Sequence, residues 1–228
     1  MRILVIDDSS VNLEAARTQL AGHEVVMASS YDLGRDLLTG SGKCIREKVL
    51  DLLWSRGIER PKKPEWHLFE SNEKWEEAQK AYDEAERAWL FTYSACAKEI
   101  SCFEVVLCDL MMPPSQEEIK EELRGGLFGK EMPVGIFLAL AAAARGAKYV
   151  GLLTDSSHHD HPASACLDAF HSVNGESKPK PFTLNGAKVI LSNNRNWIIG
   201  GEYDHDPANK GKRVKNWAAL LDYLLNEE

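Results

Sequence analysis

Residues 2–12 read RILVIDDSSVN. An apolar run of strand length, RILVI, stops on two adjacent carboxylates, Asp7 and Asp8, followed by two serines. A short continuous apolar run bounded by polar turn residues fits a strand buried on both faces, and serine ahead of an apolar periodicity marks a helix N-terminus. The helix expected over 11–21 has Val11, Leu13, Ala16 and Leu20 apolar, with Glu14, Arg17 and Gln19 polar. Gly22 is expected to end it in a left-handed conformation. EVVMA at 24–28 gives a second strand, and 31–39 a second helix stopping at Gly40. Strand, helix, strand, helix, with apolar strands, implies a parallel sheet covered on both faces.

That pattern breaks at Ser41 and resumes near residue 102. Between them charge density rises and strand signals vanish. Ile45, Val49, Leu52 and Leu53 share one face over 43–56, and Gly57 ends the segment. After the loop RPKKPEW, residues 72–100 carry Trp75, Ala78, Tyr82, Ala85, Trp89, Cys96 and Ile100 at spacings near three and four. Two helices joined by a proline loop form an inserted hairpin over 41–101, and the aromatic stripe is packing. Residues 1–40 and 102–228 then make the α/β domain.

The second half supplies the remaining strands. FEVVLCD (103–109) is a strand, followed by a polar, glycine-containing loop over 115–133. VGIFLALAAAARG (134–146) is a helix apolar nearly all round, which places it in the interior or an interface. YVGLL (149–153) is a strand, a short helix falls near 162–170, AKVILS (187–192) is the fifth strand, and VKNWAALLDYLL (214–225) is the terminal helix. The fold expected is a doubly wound, five-stranded parallel sheet of flavodoxin-like, receiver type with an inserted helical hairpin.

Composition narrows function. The net charge of −8 and pI near 5.5 argue against nonspecific nucleic-acid binding, which needs cations to replace counterions. The single basic cluster, Lys210, Lys212, Arg213 and Lys215, reads as a solvated turn. Five cysteines (Cys44, Cys96, Cys102, Cys108 and Cys166) without a CxxC pair indicate neither a disulfide framework nor a zinc knuckle. With no signal-peptide pattern and no membrane-length apolar run, a cytoplasmic protein is expected.

In a doubly wound sheet ligands bind beyond the carboxyl ends of the strands, where the strand order reverses. The acidic groups fall there: Asp7 and Asp8 after the first strand, Asp109 at the end of the third, Thr154 and Asp155 after the fourth. Carboxylates that converge raise one another's pKa unless a cation lies between them, and oxygen-only ligands suit a hard ion such as Mg²⁺. A carboxylate beside such an ion can attack phosphorus and become an aspartyl phosphate.

ILVIDDSSVN, DLMMP a hundred residues on and LLTD at the next strand end together resemble the response-regulator receiver domain of two-component signalling. The resemblance implies Mg²⁺ on Asp7, Asp8, Asp109 and the backbone carbonyl of Met111, phosphorylation of Asp109, and a phosphoryl contact from Thr154; Pro113 also matches. It implies a histidine kinase or phosphotransfer protein as donor, and self-phosphorylation and autodephosphorylation as the most enzyme-like steps. Departures are plain. The 41–101 hairpin and the 114–133 loop are extra, and Asp155 stands where the family has a small residue. No lysine ends AKVILS, where Ser192, Asn193 or Asn194 falls, although a KPF occurs at Lys180. A pseudo-receiver binding an unidentified protein partner without phosphorylation is the alternative.

SSHHDHP (156–162) adds a separate feature. His158, His159, Asp160 and His161, with Asp155 before them and Asp204 and His205 near the last strand, are the elements of a second, transition-metal or acid–base site. They admit a metal-dependent hydrolase as a third reading; the bland alternative is a polar loop whose histidines cap the next helix.

Overall fold

The computed structural model describes the chain except for residues 116–129, 156–161, 167–178, 193–196, 201–205, 207, 209–212 and 228. Two compact units emerge, Met1–Thr39 with Cys102–Glu228, and Gly40–Ser101.

The larger unit is built on a six-stranded sheet, one strand more than the sequence pattern predicts. The strands are β1 (Arg2–Ile6), β2 (Glu24–Ala28), β3 (Val105–Asp109), β4 (Tyr149–Leu153), β5 (Phe182–Leu184) and β6 (Ala187–Ser192). Their order is β2-β1-β3-β4-β6-β5. The five strands read from the sequence all pair in parallel. The unforeseen strand β5 is an antiparallel edge, joined to β6 through Asn185 and Gly186, both at positive φ. Three residues without an apolar run gave no periodicity to read.

Alternation along β1 separates the two layers. Ile3 and Val5 belong to a buried cluster with Leu107, Leu153, Ile190, Trp217, Leu220, Leu221 and Leu224. That cluster lies under α1 (Ser10–Gln19) and the terminal helix α7 (Trp217–Asn226). On the opposite face, Gly34 of α2 (Tyr31–Thr39) rests on Ile6, and α2 lies beside α5 (Gly135–Ala144). Gly151 permits the close approach of α7 to β4: a Cβ there would stand 2.9 Å from Leu220 and 3.0 Å from Leu107.

Two local expectations change, and a third, for helix α5, takes a more definite form. Gly22 does not take a positive φ; α1 ends earlier, with Leu20 N–H donating to the carbonyl of Ala16. The terminal helix starts at Trp217, because Val214–Lys215 form a strand, β8, paired antiparallel with β7 (Ile198–Ile199) in a separate two-stranded ribbon. Helix α5 is not wholly covered: Phe137 and Leu140 are exposed. Of the helix predicted over 162–170, α6 is observed over Pro162–Ala165, and residues 167–170 fall outside the described residues.

The smaller unit pairs α3 (Lys43–Ser55) with α4 (Asn72–Ile100), separated by a 3₁₀ turn at Trp66–Leu68. Ile45, Val49 and Leu53 are buried with Trp89 and Cys96. Ser71 caps α4 by accepting from Lys74 N–H, and Gly57 closes α3 at φ 71°. Among the described residues no helix is long and apolar enough to cross a membrane.

Candidate functional site

Strands β1 and β3 are neighbours, yet the connections leaving them run to opposite sides of the sheet. Their carboxyl ends therefore flank the crevice at which the order reverses. Asp7 follows β1 and Asp109 is the last residue of β3; both are buried. Thr154, also buried, follows β4 on the far side of Asp109, its N–H donating to the Ser192 carbonyl. One carboxylate oxygen of each of Asp7, Asp8 and Asp109 lies within 4.8 Å of the others.

Between two of these carboxylates sits a cation that the sequence reading did not place there. Lys215 Nζ is 2.7 Å from Asp7 Oδ2 and 2.8 Å from Asp109 Oδ2, and the side chain is 0% exposed. Assigning the 210–215 basic cluster to a solvated turn is thus wrong for Lys215, and so is the expectation of no lysine at the site. The strand expected to end on lysine, β6, ends on Ser192; the chain then runs through residues 193–213 and returns to the same crevice as β8. Spacing alone concealed Lys215, since an ammonium aimed inward and one aimed at water look alike in a run of basic residues.

Helix α1 fixes that return. Asn12, 6% exposed, donates through Nδ2 to both Asp7 oxygens at 3.2 Å and accepts the Lys215 N–H at 3.2 Å through Oδ1. Gln19 Nε2 donates to the Lys215 carbonyl, and Gln19 Oε1 accepts the N–H groups of Trp217 and Ala218. Trp217 Nε1 donates to the Asn12 carbonyl, while Asn216 caps α7 at Ala219 N–H. The two polar side chains on the buried side of α1 thus hold the lysine backbone and the first turn of α7 together. Asp7 Oδ1 also accepts the Ser9 N–H at 2.8 Å, which closes the turn from β1 into α1.

Isolated buried ions cost several kcal/mol each, and only close opposite charges with saturated hydrogen bonding offset that. Two carboxylates on one ammonium leave a net negative charge. Burial, with Asp7 adding to it against the opposing pull of Lys215, pushes the Asp109 carboxyl up to about 7. Burial alone would lower Lys215; the Asp109 and Asp7 charges outweigh it and hold the ammonium above its ordinary value. Asp8, exposed at the rim, is also raised, by partial burial and by Asp7. Cys108, behind Asp109, is an inert thiol whose pKa burial drives upward.

The loop after Asp109 is built to return. Met111 N–H donates to Asp109 Oδ1 at 3.2 Å, and Ser115 Oγ binds Asp32 Oδ1 of α2 at 2.6 Å. Met112 and Met132 exchange backbone hydrogen bonds at 3.1 Å, closing the 114–133 segment and bringing Glu131 to the crevice. There burial, followed by Asp8 and Asp155, raises the Glu131 carboxyl. No sequence signal singles out Glu131; only the Met112–Met132 bridge gives it a place. Gly135 is required at the opposite wall: a Cβ would stand 2.0 Å from the Asp109 carbonyl oxygen.

Asp155 lies at the same mouth, its carbonyl accepting from Arg213 at 2.8 Å. Of the proposed second site, His158, His159, Asp160, His161, Asp204 and His205 lie outside the described residues, as do Asn193 and Asn194. Lys180 precedes the edge strand β5, and the lysine at the carboxylates is Lys215.

Oxygen ligands alone, with net negative charge at the strand ends, are the donor set of a hard divalent cation rather than of zinc or copper. Lys215 occupies one oxygen each of Asp7 and Asp109, and Asp8 stands on the exposed side of the trio. No family model, curated protein or solved structure matches this chain.

Proposed function

We propose that the protein is a divergent receiver that accepts a phosphoryl group on Asp109 in phosphorelay signalling. The observation carrying this reading is the pair of contacts from Lys215 Nζ to Asp7 and Asp109 at the strand-order reversal. A carboxylate nucleophile needs a fixed cation where charge gathers on the phosphoryl oxygens, and little other covalent assistance. Lys215 stands in that place, held by Asn12 and Gln19 so that its ammonium need not be reorganised during transfer.

In the step, an Asp109 oxygen forms a bond to phosphorus as the bond from phosphorus to the donor's leaving nitrogen or oxygen breaks. The leaving group departs with that electron pair and takes its proton from solvent. The Thr154 hydroxyl, at the end of the adjacent strand, donates to a phosphoryl oxygen once the group is in place. Asp7, Asp8 and Asp109, with the Met111 carbonyl, are the residues to hold Mg²⁺, which when bound neutralises charge on the phosphoryl oxygens. A histidine kinase or phosphotransfer protein is the donor class this chemistry fits.

Beryllofluoride, which mimics an aspartyl phosphate, tests the reading. The full chain with Mg²⁺ is expected to bind it with shifts in the backbone amides around residues 109–112 and 154, and Lys215→Ala to weaken binding at least tenfold, about 1.4 kcal/mol. A wild-type protein that does not respond to beryllofluoride at any Mg²⁺ concentration contradicts it.

A second reading, a protein-interaction module that is not phosphorylated, is favoured by one specific arrangement. Lys215 already compensates Asp109, and the mouth is acidic at Asp8, Asp155 and Glu131. In that case the buried Asp7, Asp109 and Lys215 are structural and the exposed Phe137 and Leu140 of α5 carry the contact.

A further inference from the structure

The mouth of the crevice poses a problem for any phosphoryl donor. Its rim carries Asp8, Asp155 and Glu131, three carboxylates gathered at one opening. A dianionic phosphoryl group approaching Asp109 meets negative charge before it reaches Lys215, which is fully buried.

One side chain answers this. Arg213 is exposed and precedes Lys215 by two residues on the β8 approach. Residues two apart on an extended chain project to the same face, roughly 6–7 Å apart. Lys215 therefore reaches the bottom of the crevice, and Arg213 stands on the same side nearer solvent. Its guanidinium extends toward the end of β4, where Nη2 donates to the Asp155 carbonyl at 2.8 Å. A bond to a neutral carbonyl orients the guanidinium, and among the described residues no carboxylate forms an ion pair with it. Guanidinium carries five N–H donors in a planar fork that matches two phosphate oxygens, and this contact uses one.

We propose that Arg213 is a donor-docking residue: it binds the non-bridging oxygens of the donor's phosphoryl group at the mouth, ahead of transfer to Asp109. The inference rests on the phosphoacceptor reading and adds the residue that recognises the substrate. The ligand is a terminal phosphoryl group, on an acyl phosphate or on a phosphoramidate. Arg213 and Lys215 form a two-step path of positive charge through an acidic rim, Arg213 immediately before the short strand that carries Lys215.

Two arms test it in the full chain with Mg²⁺. In the first, inorganic phosphate is titrated while backbone amide shifts are followed. Arg213→Gln is expected to weaken binding about tenfold, the worth of a charge-assisted contact, and Arg213→Lys less, because charge survives but the fork does not. In the second, initial rates of adduct formation are measured by intact mass against acetyl phosphate and against phosphoramidate. The half-saturating donor concentration is expected to rise about tenfold in Arg213→Gln, with the rate at saturation within about twofold of wild type. A shift with only one donor assigns the contact to that donor's class.

Phosphate affinity and half-saturating concentration both unchanged in Arg213→Gln overturn the proposal, as does a wild-type protein that binds no phosphate. Phosphate binding that depends on Arg213, without any adduct in wild type, retains Arg213 as the anion contact and removes Asp109 as acceptor.

Discussion

At the scale of single residues, the account turns on an ammonium shared by two buried carboxylates. Removing it leaves Asp7 and Asp109 facing each other without compensation. Lys215→Met is expected to destabilise the protein by about 3 kcal/mol, the usual cost of breaking a buried ion pair from one side. Chemical denaturation at pH 8 and pH 5 checks this; the loss is expected to be larger at pH 8, where Asp109 is not relieved by a proton. Asp109 makes a second prediction. Its folded-state value, about 7, lies above the ordinary carboxylate value of 3.8, so between these pH values the folded protein holds a proton that the unfolded chain has released. The unfolded state then binds fewer protons, and the Asp109 contribution to stability falls as pH rises from about 4 to 7. Asp109→Asn is expected to flatten that part of the stability–pH curve and to be more stable than wild type at pH 7. A variant whose slope over this window equals that of wild type would remove the burial argument.

Elements explain how much of the site was legible. Asp7, Asp8, Asp109 and Thr154 were readable because each terminates an apolar run, and in a parallel sheet strand ends gather at one edge. Lys215 was not, because it arrives from a ribbon outside the main sheet, after an excursion whose length no periodicity constrains. The signal lay instead in α1, where Asn12 and Gln19 are polar residues on a helix face turned toward the interior. A polar group so placed needs a partner, and here the partner is the Lys215–Trp217 turn. Helix α5 gives the prediction for this scale. Gly135 lets its first turn sit against the Asp109 backbone, and Gly135→Ala is expected to cost about 1–3 kcal/mol by overpacking and to displace Asp109. Thermal unfolding and Mg²⁺-dependent beryllofluoride binding report the two effects separately.

At the scale of the molecule, the parallel pairing of five strands and the helical insertion follow from the alternation of apolar runs and charged stretches. The antiparallel edge β5 and the β7–β8 ribbon do not, being two or three residues long. The buried cluster beneath α1 and α7 draws every member from residues 1–39 and 102–228. The ends of the inserted unit approach each other: a Cβ on Gly40 would stand 2.8 Å from Ser101 Oγ. Replacing residues 41–100 by a short glycine-rich linker is therefore expected to leave a cooperatively folding protein that retains Mg²⁺-dependent beryllofluoride binding. Loss of cooperative unfolding, followed by circular dichroism, would show that the sheet unit depends on the hairpin.

The central claim is that Asp109 is a phosphoryl acceptor. Intact-mass measurement after incubation with Mg²⁺ and acetyl phosphate tests it most directly. A single phosphoryl adduct on wild type, absent from Asp109→Asn and lost on removal of Mg²⁺, is the predicted result. No adduct on wild type, or an adduct that persists in Asp109→Asn, would contradict it.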